Sequence, residues 1–405
     1  MLRKFDQDPK RPNDVSARQT LIVMPSVPFI DLGESVFADT KMIEGLELFS
    51  SYWDGPVRCL LRGGARGDIG YGREYRRDSL PFEVQMIAND ARDVGQWLDD
   101  GAVVMASADN YQDFRMADLS QSPVVFVIEY TLATRLRILW VEDIATIKKV
   151  RSSVWTLLAE YRRRKAFRRS AGIQANGRPA FRAYGDEDAG DIMYFDTRMA
   201  HAEQIGSDQI AEKRRRILEE GPLRLAFSGR LERMKGAHHL VPIAAMLDSL
   251  GVEFHLDIFG DGALRVAIET ELKEAGLENR VTVHGPIPFH EALVPLLKAE
   301  IDFFLCCHMQ SDPSCTYLET LSCGVPIVGY ANDAFKGVLE LGPAGVAAPL
   351  GDWRGIANII KQIDADRSTL AHMATEAASV GAANTFESTF QRRVSHLRMV
   401  ADRCL

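Results

Sequence analysis

The sequence has little of what marks fibrous, disulfide-rich or disordered proteins. Its 405 residues include six cysteines, 17 prolines and 31 glycines. Six unevenly spaced cysteines are too few for a disulfide scaffold, and this share of Gly and Pro excludes collagen-like and low-complexity chains. The hydrophobic share of 46% is high enough for substantial buried cores, and the length predicts two or three domains.

An excess of positive charge and a long apolar run are also missing. The chain has 48 Lys and Arg against 56 Asp and Glu, a net charge of −8, so we expect no nucleic-acid partner. No apolar run approaches the roughly 20 residues that span a bilayer, and residues 1–19 lack the apolar middle of a signal peptide. We therefore expect residues 1–19 to be a solvated, flexible tail and the protein to be cytoplasmic.

Short apolar runs alternate with amphipathic stretches from Leu21 onward. The runs consist mostly of Val, Ile, Leu and Phe without polar alternation, which is typical of parallel strands covered by helices on both faces. They form two series, and we therefore predict an α/β fold of two Rossmann-like parallel-sheet domains facing across a cleft. The predicted strands are 21–24, 57–61, 84–87, 103–106 and 124–129 in the first series, and 223–228, 254–259, 281–284, 301–306, 326–330 and 346–348 in the second.

A polar, highly charged stretch over 207–221 separates the two series and is predicted as a linker. It divides an N-terminal domain over 20–206 from a C-terminal domain over 222–385. The last segment, 386–405, has apolar residues at helical spacing. This spacing predicts a helix that covers its apolar stripe by packing back on the N-terminal domain.

The segment after the first strand of the second series carries two cations in a glycine-containing turn. Gly229 allows the backbone to turn sharply, and Arg230 and Lys235 follow in the loop. A planar guanidinium and a mobile ammonium near a strand end suit a diphosphate. Two solvated surface cations are the alternative interpretation.

A second segment, 313–319, has the residue types of a helix start. Pro313 is followed by Ser314, Cys315 and Thr316, and unpaired amides at such a start favour phosphate binding. Glu319 lies about one turn further, where its carboxylate can accept hydrogen bonds from a ribose diol. A capped surface helix with an exposed Glu is the alternative.

Four ordered motifs resemble the C-terminal domain of family 4 (group 1) glycosyltransferases, which have the GT-B fold. The motifs are GRLERMKG at 229–236, IFGDG at 258–262, VHGPI at 283–287 and YLETLSCGVP at 317–326. The resemblance is specific over about 223–350 and only architectural over the N-terminal half.

The resemblance implies that the protein transfers a sugar from a nucleoside-diphosphate sugar to a saccharide or lipid-linked acceptor in polysaccharide or glycolipid assembly. Arg230 and Lys235 would hold the diphosphate and act in catalysis, Glu319 would bind the ribose, and the backbone at Ile287 would contact the base. Gly229, Ser314, Cys315 and Thr316 complete the donor-binding set. No metal or cofactor is required, because the two cations can neutralise the leaving group. The family also implies retention at the anomeric carbon.

This chain departs from the family pattern at several positions. The family's first Glu, eight residues before Glu319, is Ser311 here, and we expect its neighbour Asp312 to contact the donor sugar instead. In the N-terminal half, Glu129 follows a strand and is our candidate for orienting the donor sugar or activating the acceptor. A structural pair with Arg135 or Arg137 is the alternative.

Three further residues are candidates for the acceptor side of the predicted cleft. They are Gly33, Asn176 and Arg198, each following a predicted apolar run, and ordinary loop roles are the alternative for all three.

Residues 148–169 carry nine Lys and Arg against one Glu. This excess suggests peripheral contact with the inner face of a membrane and access to a lipid-linked acceptor. A solvated helix face is the alternative, and we expect Trp155, Leu157 and Leu158 to be core or docking contacts.

Two other functions compete with glycosyl transfer. A GT-B-fold sugar-nucleotide epimerase would act on the donor without an acceptor. A non-catalytic nucleotide-sugar-binding subunit would consume no donor, and the altered residue at Ser311 favours this reading.

Overall fold

The computed structural model describes residues 20–69, 72–87, 94–98, 101–141, 144–219 and 221–404. The predicted tail over 1–19 lies outside these residues. The chain divides into two compact units. The first contains the residues up to Arg135, then Ala145–Tyr194 and the stretch from Glu387 onward, and the second contains Leu136–Ile144 and Phe195–Phe386.

The first unit is built on a parallel sheet of seven strands in the order β10-β9-β8-β7-β1-β4-β6. The whole unit contains ten strands among the described residues, of which β2, β3 and β5 lie outside this sheet. They are β1 (Thr20–Met24), β2 (Ile30–Asp31), β3 (Ser35–Asp39), β4 (Val57–Arg62), β5 (Gly72–Arg76), β6 (Glu83–Ile87), β7 (Gly101–Ser107), β8 (Val124–Ile128), β9 (Gly172–Asn176) and β10 (Ile192–Tyr194). The central strand β1 is fully buried from Leu21 to Met24, as a strand covered on both faces requires.

The remaining strands of this unit form a feature that the apolar pattern does not predict. Strands β2, β3 and β5 pair antiparallel in a small sheet of three strands. They are short or rich in polar residues, as in the sequence GREYR of β5. Without an apolar run, nothing in these segments distinguishes a strand from a loop.

The second unit has a parallel sheet of six strands in the order β13-β12-β11-β14-β15-β16. Its strands are β11 (Leu223–Ser228), β12 (Phe254–Phe259), β13 (Val281–Gly285), β14 (Phe303–Cys306), β15 (Ile327–Tyr330) and β16 (Gly345–Ala348). In register, Leu225 of β11 lies beside Leu256 on one side and Phe303 on the other. These three side chains are buried in one apolar cluster.

The α-helices lie between the strands in the alternating order that the sequence predicts. They are α1 (Thr40–Tyr52), α2 (Met116–Leu119), α3 (Leu132–Val141), α4 (Thr146–Phe167), α5 (Gly177–Tyr184), α6 (Ser207–Leu218), α7 (Leu240–Ser249), α8 (Arg265–Glu274), α9 (Val294–Ala299), α10 (Thr316–Ser322), α11 (Asp333–Leu339), α12 (Trp353–Ala365), α13 (Arg367–Ala383) and α14 (Phe386–Arg403). Within the ranges given above, no helix combines the length and apolarity that crossing a bilayer requires.

The C-terminal helix α14 supplies part of the first unit's core. Phe390 packs edge-on against Phe49 of α1, with ring centroids 4.9 Å apart. Gly45 leaves room for this ring, since a Cβ there would lie 2.8 Å from Phe390. The apolar stripe of α14 is thus buried within the unit to which it belongs.

The division between the units differs from the expected linker over 207–221. Residues 207–218 instead form α6, a helix of the second unit, and the division falls between Tyr194 and Phe195. The charged sequence hides a buried residue, because the ammonium of Lys213 donates to the carbonyl oxygens of Leu297 and Ile301. Burial lowers the pKa of Lys213 to about 7.

Candidate functional site

The second sheet has a topological switch point between β11 and β14. From β11 the chain builds outward through β12 and β13, then crosses to β14 on the opposite side of β11. Ligands of open parallel sheets bind beyond the carboxyl ends of the strands at such a point. The loops that leave β11 and β14 there are 229–236 and 307–315.

The two loops meet so closely that one position must be glycine. Gly236 has φ +71°, and a Cβ on it would lie 1.9 Å from the carbonyl oxygen of Cys307. Next to this approach, the backbone N–H of Met309 donates to the carbonyl oxygen of Met234 at 3.0 Å. The approach holds the two loops in contact.

An ion pair joins the loops at their centre. The Nζ of Lys235 lies 2.7 Å from Oδ2 of Asp312, and both side chains are only slightly exposed, at 12% and 11%. Burial alone would raise the pKa of Asp312, but neighbouring His308 and the ammonium of Lys235 lower it overall. Asp312 is therefore ionised at neutral pH and holds Lys235 in place.

Several buried polar atoms in the 307–315 loop have no hydrogen-bond partner among the described residues. They are Nδ1 of His308, both amide heteroatoms of Gln310 and Oδ1 of Asp312. Burial lowers the pKa of His308 to about 3, so its ring is neutral. Nδ1 of His308 and Oδ1 of Asp312 lie 3.6 Å from each other. Because buried polar groups in folded proteins are normally satisfied, the loop has hydrogen-bonding capacity left for a polar partner.

Arg230 is an accessible cation of the same loop system. Its side chain is 62% exposed, and its guanidinium lies 3.2 Å from the carboxylate of Glu232. An exposed pair of this kind contributes little to stability. Arg230 can therefore exchange Glu232 for a ligand oxygen at small cost.

Glu319 is held by an arginine that we expected on the acceptor side. Arg198 donates from Nε to Oε1 of Glu319 at 2.6 Å and from Nη2 to Oε2 at 3.0 Å. The Arg198 guanidinium also lies 3.8 Å from the ring centroid of Phe289. Arg198 therefore belongs to the second unit and orients Glu319, because a buried carboxylate requires a partner. Each carboxylate oxygen keeps a lone pair for a further donor.

Around the start of α10, the side chains that the sequence predicts for phosphate binding already contact other protein groups. Helix α10 is only seven residues long. The hydroxyl of Ser314 donates to that of Thr316 at 3.1 Å, and the Cys315 thiol lies 3.5 Å from Oδ2 of Asp196. Ile287 lies apart from these contacts and packs against a second apolar cluster of this unit.

The candidates of the N-terminal half lie in the first unit. Gly33, with φ +83°, forms the turn between β2 and β3, and Asn176 is buried at the end of β9. Glu129 directly follows β8, and its backbone N–H donates to Oδ2 of Asp109. The Arg135 guanidinium, which we considered as a partner of Glu129, pairs with Asp109 at 2.5 Å and also donates to the carbonyl oxygen of Ala108.

Sequence reasoning missed the polar interior of the 307–315 loop. His308, Gln310 and the pairing of Arg198 with Glu319 were not predicted as site features. A usable signal was present, since His308, Gln310 and Asp312 lie within six residues of the end of a buried strand at the switch point. Among the described residues, no cluster of three or more His, Cys, Asp and Glu side chains is arranged to hold a metal ion.

Solved structures with the same architecture identify the fold class. The chain aligns with HepE of Anabaena in complex with UDP at a TM-score of 0.64 and 16% identity, covering 93% of this chain and 98% of that one. It aligns equally with the sucrose-phosphate synthase of Thermosynechococcus elongatus, at a TM-score of 0.64 and 14% identity over 94% and 98% of the two chains. The chain therefore has the GT-B fold.

Comparisons at the level of sequence find a family model and several relatives. Residues 208–380 match the family model described as glycosyl transferases group 1. The 2-deoxystreptamine glucosyltransferase of Streptomyces kanamyceticus is 28% identical over 38% of this chain and 39% of its own length. The D-inositol 3-phosphate glycosyltransferase of Arthrobacter sp. is 29% identical over 39% and 38%. The matches thus span about two fifths of these curated relatives.

Proposed function

We propose that the protein is a glycosyltransferase that moves a sugar from a nucleoside-diphosphate sugar to an acceptor hydroxyl. One observation carries the proposal. The loops that leave the two strands at the switch point bring Lys235, Asp312 and a group of unsatisfied buried polar atoms together, beside the exposed Arg230. The match of residues 208–380 to group 1 glycosyltransferases supports it, as does the placement of loop 229–236 at a strand end.

The two cations would act on the leaving group. Negative charge grows on the diphosphate as the glycosidic bond breaks, so fixed positive charges stabilise the transition state more than the ground state. Lys235 offers a compact ammonium in a nearly buried position, and Arg230 offers a planar guanidinium from the solvent side. With these charges in place, the proposal needs no metal or cofactor.

Binding of the donor would require Lys235 to exchange partners. In the structure its ammonium is held by Asp312 at 2.7 Å. A diphosphate that takes up Lys235 frees one carboxylate oxygen of Asp312, which can then accept a hydrogen bond from a sugar hydroxyl. The neutral ring of His308 and the amide of Gln310 offer further sugar contacts. This arrangement would replace the family's first Glu, which is Ser311 here.

The nucleoside would lie toward Glu319 and Ile287. Glu319, held in orientation by Arg198, has lone pairs left for a ribose diol, and the backbone at Ile287 would contact the base. The Anabaena structure was determined with UDP, so uridine diphosphate is the first nucleotide to test.

We assign the acceptor to the first unit, with Glu129, Gly33 and Asn176 as candidate contacts. Saccharide and lipid-linked acceptors both belong to the proposal. The similar proteins include one described as a putative colanic acid biosynthesis glycosyltransferase of Salmonella typhimurium. Family 4 membership, retention at the anomeric carbon and a cytoplasmic location belong to the same proposal.

The test is donor turnover by the full chain. Nucleoside-diphosphate sugars are screened by thermal shift, and release of the nucleoside diphosphate is then measured with and without soluble and lipid-linked acceptors. We expect acceptor-dependent release. Arg230→Ala should lower kcat by about 10²–10³, the usual effect of removing one fixed donor to a developing anion. The control Arg233→Ala, an exposed cation three residues away in the same loop, should leave kcat nearly unchanged.

The competing functions give different results in the same assay. An epimerase converts the donor without any acceptor, and a non-catalytic subunit binds the nucleotide sugar but releases no product. Equal turnover by the Arg230→Ala and Arg233→Ala variants would contradict the assigned role of Arg230.

A further inference from the structure

The outward face of α4 in the first unit is apolar. Ile147, Leu158 and Tyr161 are 81%, 61% and 69% exposed, and Val150 and Val154 are also exposed. These five residues, which we call the α4 stripe, follow one another at intervals of three or four and so share one side of the helix. At about 1.5 Å per residue the stripe is about 21 Å long.

The exposure of the stripe follows from how the opposite side of the helix is anchored. Arg163 is fully buried and donates to the carbonyl oxygens of Ala108 and Tyr130 and to Asp109. Ala166 and Phe167 are buried near it. With this side fixed in the unit, the helix cannot rotate its stripe inward. We expected Trp155, Leu157 and Leu158 in core or docking contacts. Leu158 belongs to the exposed stripe, and Trp155 and Leu157 are exposed beside it.

Cations lie at both ends of the stripe. Lys148 and Arg151 near its start and Arg162 and Lys165 near its end are exposed. The one acidic residue of the helix, Glu160, is buried, and its carboxylate pairs with Arg164. The exposed side of α4 is therefore apolar along its middle and positive at its two ends, although the whole chain is acidic.

We propose that α4 docks the protein on an anionic phospholipid surface, with the stripe inserted at the level of the headgroups and the flanking cations on lipid phosphates. A helix with an apolar face flanked by cations lies in the plane of such an interface. A second copy of the chain fits this face poorly, because the cations of the two copies would oppose each other. A nucleic acid would neutralise the cations but leave the apolar stripe in water. This proposal stands on the first unit alone and does not depend on glycosyl transfer.

The experiment is vesicle co-sedimentation of the full chain. Mixed phosphatidylcholine–phosphatidylglycerol vesicles should bind the protein, and phosphatidylcholine vesicles should bind it much more weakly. The double variant Ile147→Ser/Leu158→Ser and the double variant Arg151→Gln/Arg162→Gln should each weaken binding about tenfold. The apolar double variant weakens insertion of the stripe. The cation double variant weakens binding and also reduces its dependence on salt concentration.

Val266→Ser provides the matched control, because Val266 is an exposed apolar residue on a helix of the other unit, at 74% exposure. It should bind like the parent chain, and melting temperatures should show that all variants are folded. Equal binding by the parent and the stripe variants would overturn the proposal. So would a dimer that the stripe variants dissolve, or binding to RNA without binding to vesicles.

Discussion

The two parallel sheets both carry charged residues at the carboxyl ends of their strands, but the charges are arranged differently. In the first unit, Arg62 at the end of β4 pairs with Asp113 at 2.5 Å, and the two side chains are 8% and 0% exposed. Asp109, which follows β7, is held by Arg135 and by the fully buried Arg163. Asp109 and its two arginines are closed on one another inside the unit, whereas burial raises the pKa of Asp113 to about 6 in spite of the neighbouring Arg62.

In the second unit the corresponding charges are open to exchange. Arg230 is mostly exposed, Lys235 pairs with Asp312 beside polar atoms that have no partner, and Arg198 leaves lone pairs on Glu319. A closed buried pair stabilises the fold only modestly, yet breaking it is costly because a charge is left without compensation. An open set can change partners. We therefore propose that the charges around Asp109 are structural and that those of the second unit bind a ligand.

The largest expected effect is on the closed set. Arg163→Met removes the hydrogen bonds to the carbonyl oxygens of Ala108 and Tyr130 in the interior. It also removes one of the two arginine partners of Asp109. We expect the free energy of unfolding to fall by about 3–5 kcal/mol and the melting transition of the first unit to fall by about 10 °C. Differential scanning calorimetry measures both.

Arg162→Ala is the matched control for this change. Arg162 is the preceding residue of the same helix and is exposed to solvent. It should cost about 1 kcal/mol or less. If both substitutions had the same small effect, the distinction between closed and open charges would fail for the first unit.

A somewhat smaller effect is expected from acid. His396 of α14 is buried beside Gln174, whose Nε2 lies 3.3 Å from Nδ1 of the histidine, and burial lowers the pKa of His396 from 6.5 to about 4. Below pH 6.5 the unfolded chain therefore binds a proton that the folded chain does not. Stability attributable to this residue is complete above pH 6.5 and is lost as the pH falls, by about 3 kcal/mol at pH 4.

The variant His396→Gln isolates this contribution. Its unfolding free energy should change less between pH 6.5 and pH 4 than that of the parent chain, as measured by urea denaturation across this range. Parallel pH profiles for the two proteins would show that His396 is not held neutral in the fold.

The sheets were largely predictable from the sequence. Each predicted strand coincides with an observed one, and β11 and β12 match at both ends. A strand covered on both faces needs a continuous apolar run, and few other segments have one. The same reasoning fails for β5, which is polar, and for α6, where a charged sequence contains the buried Lys213.

The candidate site was predictable only in part. Lys235, Asp312 and Glu319 could be selected because they follow strand ends or a helix start. Their partners could not, since the pairing of Arg198 with Glu319 joins residues 121 positions apart. The exposure of the α4 stripe was also out of reach, because its spacing equals that of a buried helix face. Only the anchoring of Arg163 on the opposite side determines which face is outward.

The smallest expected effect concerns the nearly buried ion pair of Lys235 with Asp312, which the proposal treats as open to exchange. Asp312→Asn removes the charge that holds Lys235 while keeping the size of the side chain. If a diphosphate competes with Asp312 for Lys235, the variant should bind a nucleoside diphosphate about fivefold more tightly, a gain of about 1 kcal/mol, and should transfer sugar more slowly. Isothermal titration calorimetry gives the affinity, and the melting temperature shows whether Lys235 tolerates the loss of its partner. A weaker affinity, as expected for Lys235→Ala, would mean that the pair is closed like those of the first unit and serves to position Lys235.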